Sequence, residues 1–273
     1  MSRAGPAWRN GRRSGLKIRG PLAWGFESPG GQAPGDGFPL HPAPGRLPAG
    51  RRVYAVGDIH GLDERLGTLH SLIAEDLRAR PAAAATVVHL GDYIDRGPDS
   101  ALVLARLAGL ERIGKARVVN LMGNHERTFL DALAGDAPAA TDFLYNGGRA
   151  TLASLGIDPA TPAAAWRARM PQAALGFLCG LSLVHREGGY LFAHAGIRPG
   201  IAPDAQAPAD LLSIRQPFLA TDAELGAVVV HGHTPGEAPV IRANRIGVDT
   251  GAVYGGPLTA AVLEGETVGF LAA

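Results

Sequence analysis

The sequence predicts an α/β fold, and two observations carry that expectation. Short β-rich runs alternate with segments of helical period, and successive β-rich runs stop at a Gly-led polar turn. The first run, 52-RVYAVGD-58, ends in Gly57-Asp58. In 63-DERLGTLHSLIAEDLRA-79 the apolar residues Leu66, Leu69, Leu72, Ile73 and Leu77 recur at helical spacing. The run 86-TVVHLGD-92 repeats the strand design. Next, 98-PDSALVLARLAGL-110 predicts a second helix, with Pro98 at a start position where its missing N–H costs nothing. The third strand, 117-RVVNLMGN-124, again ends at Gly-Asn. This order implies parallel units, and ligands on such sheets sit beyond the carboxyl ends of the strands. Asp58 and His60, Asp92 and Asp95, and Asn124 and His125 would therefore share one sheet edge. The runs 189-GYLFAHAG-196 and 226-AVVVHGHT-234 add His194, then His231 and His233, in the same way.

Aspartate, histidine and asparagine are hard or borderline donors. Without a thiolate among them they suit Mn, Fe or Zn, and there are enough of them for two divalent ions. The one cysteine, Cys179, excludes an internal disulfide framework and a cysteine zinc cage; it reads as a small core residue and suits a reducing, cytoplasmic setting. A formal net charge of +1 gives no ground for nucleic acid or membrane. No apolar run reaches the roughly 18 residues of a membrane span. The longest, 173-AALGFLCGLSLVH-185, reads as buried core.

Residues 1–50 differ from the rest. They hold 11 of 38 glycines, 8 of 21 prolines, and seven Arg/Lys against two acids. With no apolar period, they are expected to form a disordered, solvated tail, leaving 51–273 as the catalytic domain. A nucleic-acid role would rest on that basic tail alone.

The blocks G-D-I-H-G (57–61), G-D-Y-I-D-R-G (91–97), G-N-H-E (123–126), H-A-G (194–196) and H-G-H-T (231–234) resemble the phosphoprotein phosphatase family of the calcineurin-like metallophosphoesterases. With the flanking strands the resemblance covers about 52–273. It is strongest to bacterial and bacteriophage-type serine/threonine phosphatases, which 146-NGGRATLASLG-156, 211-LLSIRQPFL-219 and 246-IGVDTGAVYGG-256 also resemble. The resemblance implies a two-sheet, sandwich-like fold flanked by helices. The segment at about 127–185 would form a helical excursion over the metal cleft, with 128–133, 150–156 and 163–171 helix-prone.

It also implies roles. Asp58 and His60 would bind one divalent metal, Asp92 would bridge, and Asn124, His194 and His233 would complete the second site. A hydroxide shared by the two ions would attack phosphorus in line. His125 would act as general acid, paired with Asp95. Arg96 and Arg215 would grip phosphate oxygens, with Tyr254 near the substrate. Ser213 stands where the bacterial relatives usually have a bulky aromatic. His231 would orient a neighbour rather than bind metal. Asp249 either supports a ligand histidine or stabilises the 249–251 turn. The expected activity is metal-dependent phosphomonoester hydrolysis on a phosphorylated protein, with Mn²⁺ favoured over Fe or Zn. Small-molecule or dinucleoside polyphosphate hydrolysis is the alternative, and a non-catalytic phosphate-binding module a lesser one.

Overall fold

Strand β1 (His41–Pro42) is followed by β2 (Arg51–Val56), helix α1 (Asp63–Ala79) and β3 (Ala84–His89) in a computed structural model that describes residues 38–273. Helix α2 (Ser100–Leu107), β4 (Arg112–Ile113) and β5 (Ala116–Asn120) come next. Helices α3 (Asn124–Leu133), α4 (Ala137–Phe143), α5 (Arg149–Ser154) and α6 (Gln172–Cys179) form the excursion. Strands β6 (Val184–Glu187) and β7 (Tyr190–Ala193), helix α7 (Pro208–Ser213), and strands β8 (Val228–His231), β9 (Val240–Arg242), β10 (Arg245–Gly247), β11 (Thr259–Glu264) and β12 (Thr267–Ala272) complete it.

The strands form two sheets, ordered β1-β12-β11-β2-β3-β5-β4 and β6-β7-β8-β10-β9. The β2–β3 and β3–β5 pairings are parallel, as the strand–helix alternation predicts. Strands β11 and β12 pair antiparallel, so the larger sheet is mixed rather than wholly parallel.

Side-chain alternation builds the layers. Val53 and Ala55 of β2, Val88 of β3 and Leu263 of β11 pack with Tyr190 and Phe192 of β7 and Val230 of β8 in the core between the sheets. Their neighbours Tyr54, Val56 and Val87 face outward onto Leu66, Leu69 and Ile73 of α1 and Val103 and Leu104 of α2. Leu191, Ala193 and Val229 cover the other sheet's outer face with Leu211, Ile214 and Phe218. Both faces of the central strands are buried, which accounts for their near-continuous apolar runs. Among the described residues no helix is long and apolar enough to cross a membrane.

Several expectations need correction. Residues 38–50 do not behave as a free tail: β1 pairs antiparallel with β12, and Leu47 is 1% exposed in the core between the sheets. Residues 1–37 lie outside the described residues. The second helix spans 100–107 rather than 98–110, because the chain turns at Gly109 with φ +81°. The helix-prone stretch 163–171 forms only short 3-10 turns, anchored by buried Trp166. Cys179 closes α6 exposed to solvent, not in the core.

Candidate active site

The predicted metal ligands and the His125–Asp95 pair all follow strand ends, whereas Arg215 follows α7 and Tyr254 closes a 3-10 turn. Asp58 and His60 lie after β2, Asp92 and Asp95 after β3, His194 after β7, and His233 after β8. Asn124 and His125 open α3, just beyond β5. Asp92 is at the centre. His194 Nε2 is 3.3 Å from Asp92 Oδ1, while His60 Nε2 and His125 Nε2 are 3.6 and 3.8 Å from Oδ2. Among the described residues two groups could hold a metal ion, His60–Asp92–His125 and Asp92–His194–His233, each with its ligand atoms within 4.8 Å of one another. Asp92 belongs to both. Asn124 Oδ1 lies 3.0 Å from His194 Nε2. Asp58 is outside both tight groups; its carboxylate accepts the His233 backbone N–H at 3.0 and 3.2 Å, while the side chain lines the cleft. His125, expected not to ligate, stands inside the first group.

The ring orientations fit a metal. His60 Nδ1 donates to the Ile94 carbonyl at 2.7 Å, and His194 Nδ1 to the Leu90 carbonyl at 2.9 Å. That leaves both Nε2 lone pairs facing Asp92. Burial lowers His60 and His233 to about 3, and lowers His194 as well, so the rings are neutral, the form a metal requires. Burial pushes Asp92 upward, but the pull of imidazole in its charged form, which His125 favours, outweighs burial and holds the Asp92 carboxyl below the usual range. Asp58 is held well above that range by burial and by the carboxylates of Asp249 and Asp92. Nε2 of His233 is buried with no hydrogen-bond partner. An orphaned buried polar atom costs about 1–3 kcal/mol, and a cation at that atom would satisfy it.

The backbone is strained at the same place. Among the described residues, the non-glycine residues with positive φ are His60 (46°), Asp92 (53°), Asp95 (73°), Arg96 (68°) and His233 (65°). Each costs on the order of 1–3 kcal/mol and persists only where surrounding structure enforces it. Two glycines permit the close approach. A Cβ on Gly123 would collide with the Asp92 carboxylate, and one on Gly232 with that of Asp58.

His125 Nδ1 donates to Asp95 Oδ2 at 2.6 Å, and Thr151 Oγ1 donates to Asp95 Oδ1 at 2.6 Å. Burial disfavours a charged His125, yet the Asp92 and Asp95 carboxylates outweigh it and raise its pKa. Arg96 reaches Nε2 of both His60 and His125. Arg96, Arg215 and Tyr254 line the cleft beside Asp58 and His233, with the Arg96 guanidinium 5.6 Å from the centre of the Tyr254 ring. Asp249 lines the same cleft and accepts the Gly251 N–H at 2.9 Å, which is the turn-stabilising role. His231 packs edge-on against Phe218 and takes no place in either ligand group.

Sequence reasoning passed over Glu126 and Thr151. Buried Glu126 accepts the backbone N–H groups of Gly123, Asp92 and Tyr93 at 2.8–2.9 Å, clamping the Asp92 turn to the start of α3. Its signal was legible: a glutamate three residues after a helix N-cap reaches back to the cap's N–H. Thr151 gave no local signal, since its bond to Asp95 spans 56 residues.

Comparison with known proteins decides the family. A family model described as calcineurin-like phosphoesterase matches residues 51–261. The chain belongs to that family. This phosphoesterase is 32% identical over 228 residues to the serine/threonine-protein phosphatase 1 of Salmonella typhimurium (strain LT2), covering 78% of this chain and 93% of the relative. It is 26% identical over 276 residues to the symmetrical bis(5'-nucleosyl)-tetraphosphatase of Ralstonia nicotianae, covering 76% and 88%. Its fold also resembles the cold-active protein-tyrosine phosphatase of a psychrophilic Shewanella, with a TM-score of 0.52 at 19% identity, covering 80% and 78%. The phosphoesterase is a hydrolase of this family with His and Asp residues positioned to bind metal ions.

Proposed function

We propose that the chain is a two-metal phosphatase acting on phosphoserine and phosphothreonine in proteins. The carrying observation is Asp92, shared by two ligand groups on the rim of a cleft that also holds Arg96 and Arg215. Asp58 and His60 would hold one cation with Asp92, while Asn124, His194 and His233 would hold the other. Mn²⁺ suits this set of oxygen and nitrogen donors. When bound, the cations neutralise phosphate oxygens and lower the pKa of the attacking water.

The chain's own residues do the rest. Arg96 and Arg215 bind the phosphoryl oxygens as fork donors, with Tyr254 closing the rim. His125 delivers a proton from Nε2 to the leaving oxygen, and Asp95 holds the ring through Nδ1. Phosphoprotein as substrate is supported by the Salmonella relative, 93% of whose length is matched. Dinucleoside polyphosphate hydrolysis is a second reading, supported by the Ralstonia relative. The test compares kcat/KM for a phosphoserine peptide, a phosphotyrosine peptide and a dinucleoside tetraphosphate with added Mn²⁺. The phosphoserine peptide is expected to lead; a lead for the tetraphosphate overturns the first reading in favour of the second.

A further inference from the structure

The two sides of the ligand cluster differ in charge. The cleft beside His60 and His233 carries Arg96 and Arg215. A separate small recess is bordered by Asp95, Asn124, His125 and Phe143 and further lined by Thr128, Asp142 and Asn146; neither lysine nor arginine lines it, although Arg96 touches it through His125 Nε2. Asp142, the last residue but one of α4, is exposed to solvent, and its carboxylate is held in place: Asn146 Nδ2 donates to Oδ1 at 2.7 Å and to the Asp142 carbonyl at 3.0 Å. Asn146 lies in the irregular turn 144–148, and Gly147 of that turn accepts the Arg96 N–H at 3.2 Å. The turn is thus tied to the phosphate-binding loop. Among the described residues no cationic side chain pairs with Asp142 within 4.0 Å.

In-line hydrolysis places the leaving group on the His125 side. Water supplies the new P–O bond, the ester P–O bond breaks with its electron pair passing to the leaving oxygen, and His125 Nε2 supplies that oxygen's proton. The water's displaced proton restores the one His125 gave up. Resting on the phosphatase reading above, we propose that the recess of Thr128, Asp142 and Asn146 is the leaving-group subsite and that Asp142 sets its selectivity. The subsite accepts an uncharged or cationic leaving group, such as the serine or threonine of a peptide with basic neighbours. It disfavours an anionic one such as a nucleoside diphosphate. A fixed carboxylate within a Debye length of about 10 Å attracts the first and repels the second.

The test measures kcat/KM of the Mn²⁺-loaded full chain on phosphoserine peptides with arginine or glutamate flanks and on a dinucleoside tetraphosphate, each normalised to nitrophenyl phosphate. Wild type is compared with Asp142→Asn, which keeps an acceptor for Asn146, and with Asp142→Lys. Metal content and Tm report that the variants are folded. The wild-type preference for arginine flanks is expected to fall about two- to fivefold in Asp142→Asn, the worth of one exposed ion pair. It should fall further in Asp142→Lys, with a matching rise on the tetraphosphate and a loss of both effects at high salt. Peptide activity with unchanged flank selectivity in both variants overturns the subsite and leaves the phosphatase reading standing. A wild type that prefers the tetraphosphate to every peptide overturns both.

Discussion

His125 Nδ1 and Asp95 Oδ2 lie 2.6 Å apart with both side chains buried, and Nε2 of the same ring lies 3.8 Å from Asp92. A single imidazole thus joins the carboxylate at the centre of the ligand cluster to one outside it. That position is compatible with a ligand or with an acid, and the two are separable. His125→Asn is expected to keep near-normal metal content while kcat on phosphoserine falls by about 10²–10⁴. His194→Asn should lose metal. The defect at 125 should shrink on nitrophenyl phosphate, whose leaving group needs little protonation. Equal loss on both substrates with loss of metal would make His125 a ligand.

The pH profile follows from the raised pKa of His125. The protonated ring is the acid, so the alkaline limb of kcat falls as pH rises through a value above the ordinary imidazole range of about 6.5. Asp95→Asn removes the carboxylate that favours the charged ring, so the falling limb should move to lower pH. The sign agrees with linkage: the pair stabilises the fold below the unfolded pKa and that contribution is lost as pH rises through the folded one. A limb that stays in place in Asp95→Asn would contradict the pairing.

A second histidine pair, outside both candidate ligand groups, predicts acid lability. His70 Nε2 and His89 Nε2 are 2.9 Å apart, and burial lowers the two rings to about 3 and about 4. Unfolded, both take protons near pH 6.5, so stability falls as pH drops from about 6.5 to 4, by up to about 1.4 kcal/mol per pH unit for each ring. Thermal midpoints at pH 7 and pH 5 should converge partly in His70→Leu. An unchanged gap would show that acid lability arises elsewhere.

Residues 38–50 should matter to stability. Leu47 fills the core between the sheets and β1 caps the edge of β12. Leu47→Ala is expected to cost about 2–5 kcal/mol, and a chain starting at residue 51 should lose several degrees in Tm. Calorimetry of both checks it, and a midpoint unchanged in either would make the strand pairing marginal.

Much of the candidate site was readable because each proposed ligand follows an apolar strand, most of them at a Gly-led turn. That pattern placed Asp58, Asp92, Asn124, His194 and His233 at one rim, and α1 was read to its ends from the spacing of Leu66, Leu69, Ile73 and Leu77. What escaped depends on distance along the chain. The β1–β12 pairing joins His41 to Val268, and a Gly/Pro-rich segment carries no periodic trace of such an edge contact. Thr151 reaches Asp95 only because the excursion folds back over α2. Cys179 was misplaced because the apolar run around it belongs to a helix with one face in solvent.

On the proposed two-metal reading, Asp92 serves two cations at once. Metal content per chain, measured with activity after chelation and Mn²⁺ reloading, tests it most directly. About two ions per wild-type chain are expected, with activity lost with them and restored on reloading, as is an Asp92→Asn variant that stays folded yet retains less than one ion and little activity. Full hydrolysis by metal-free protein, or two ions retained in Asp92→Asn, would contradict it.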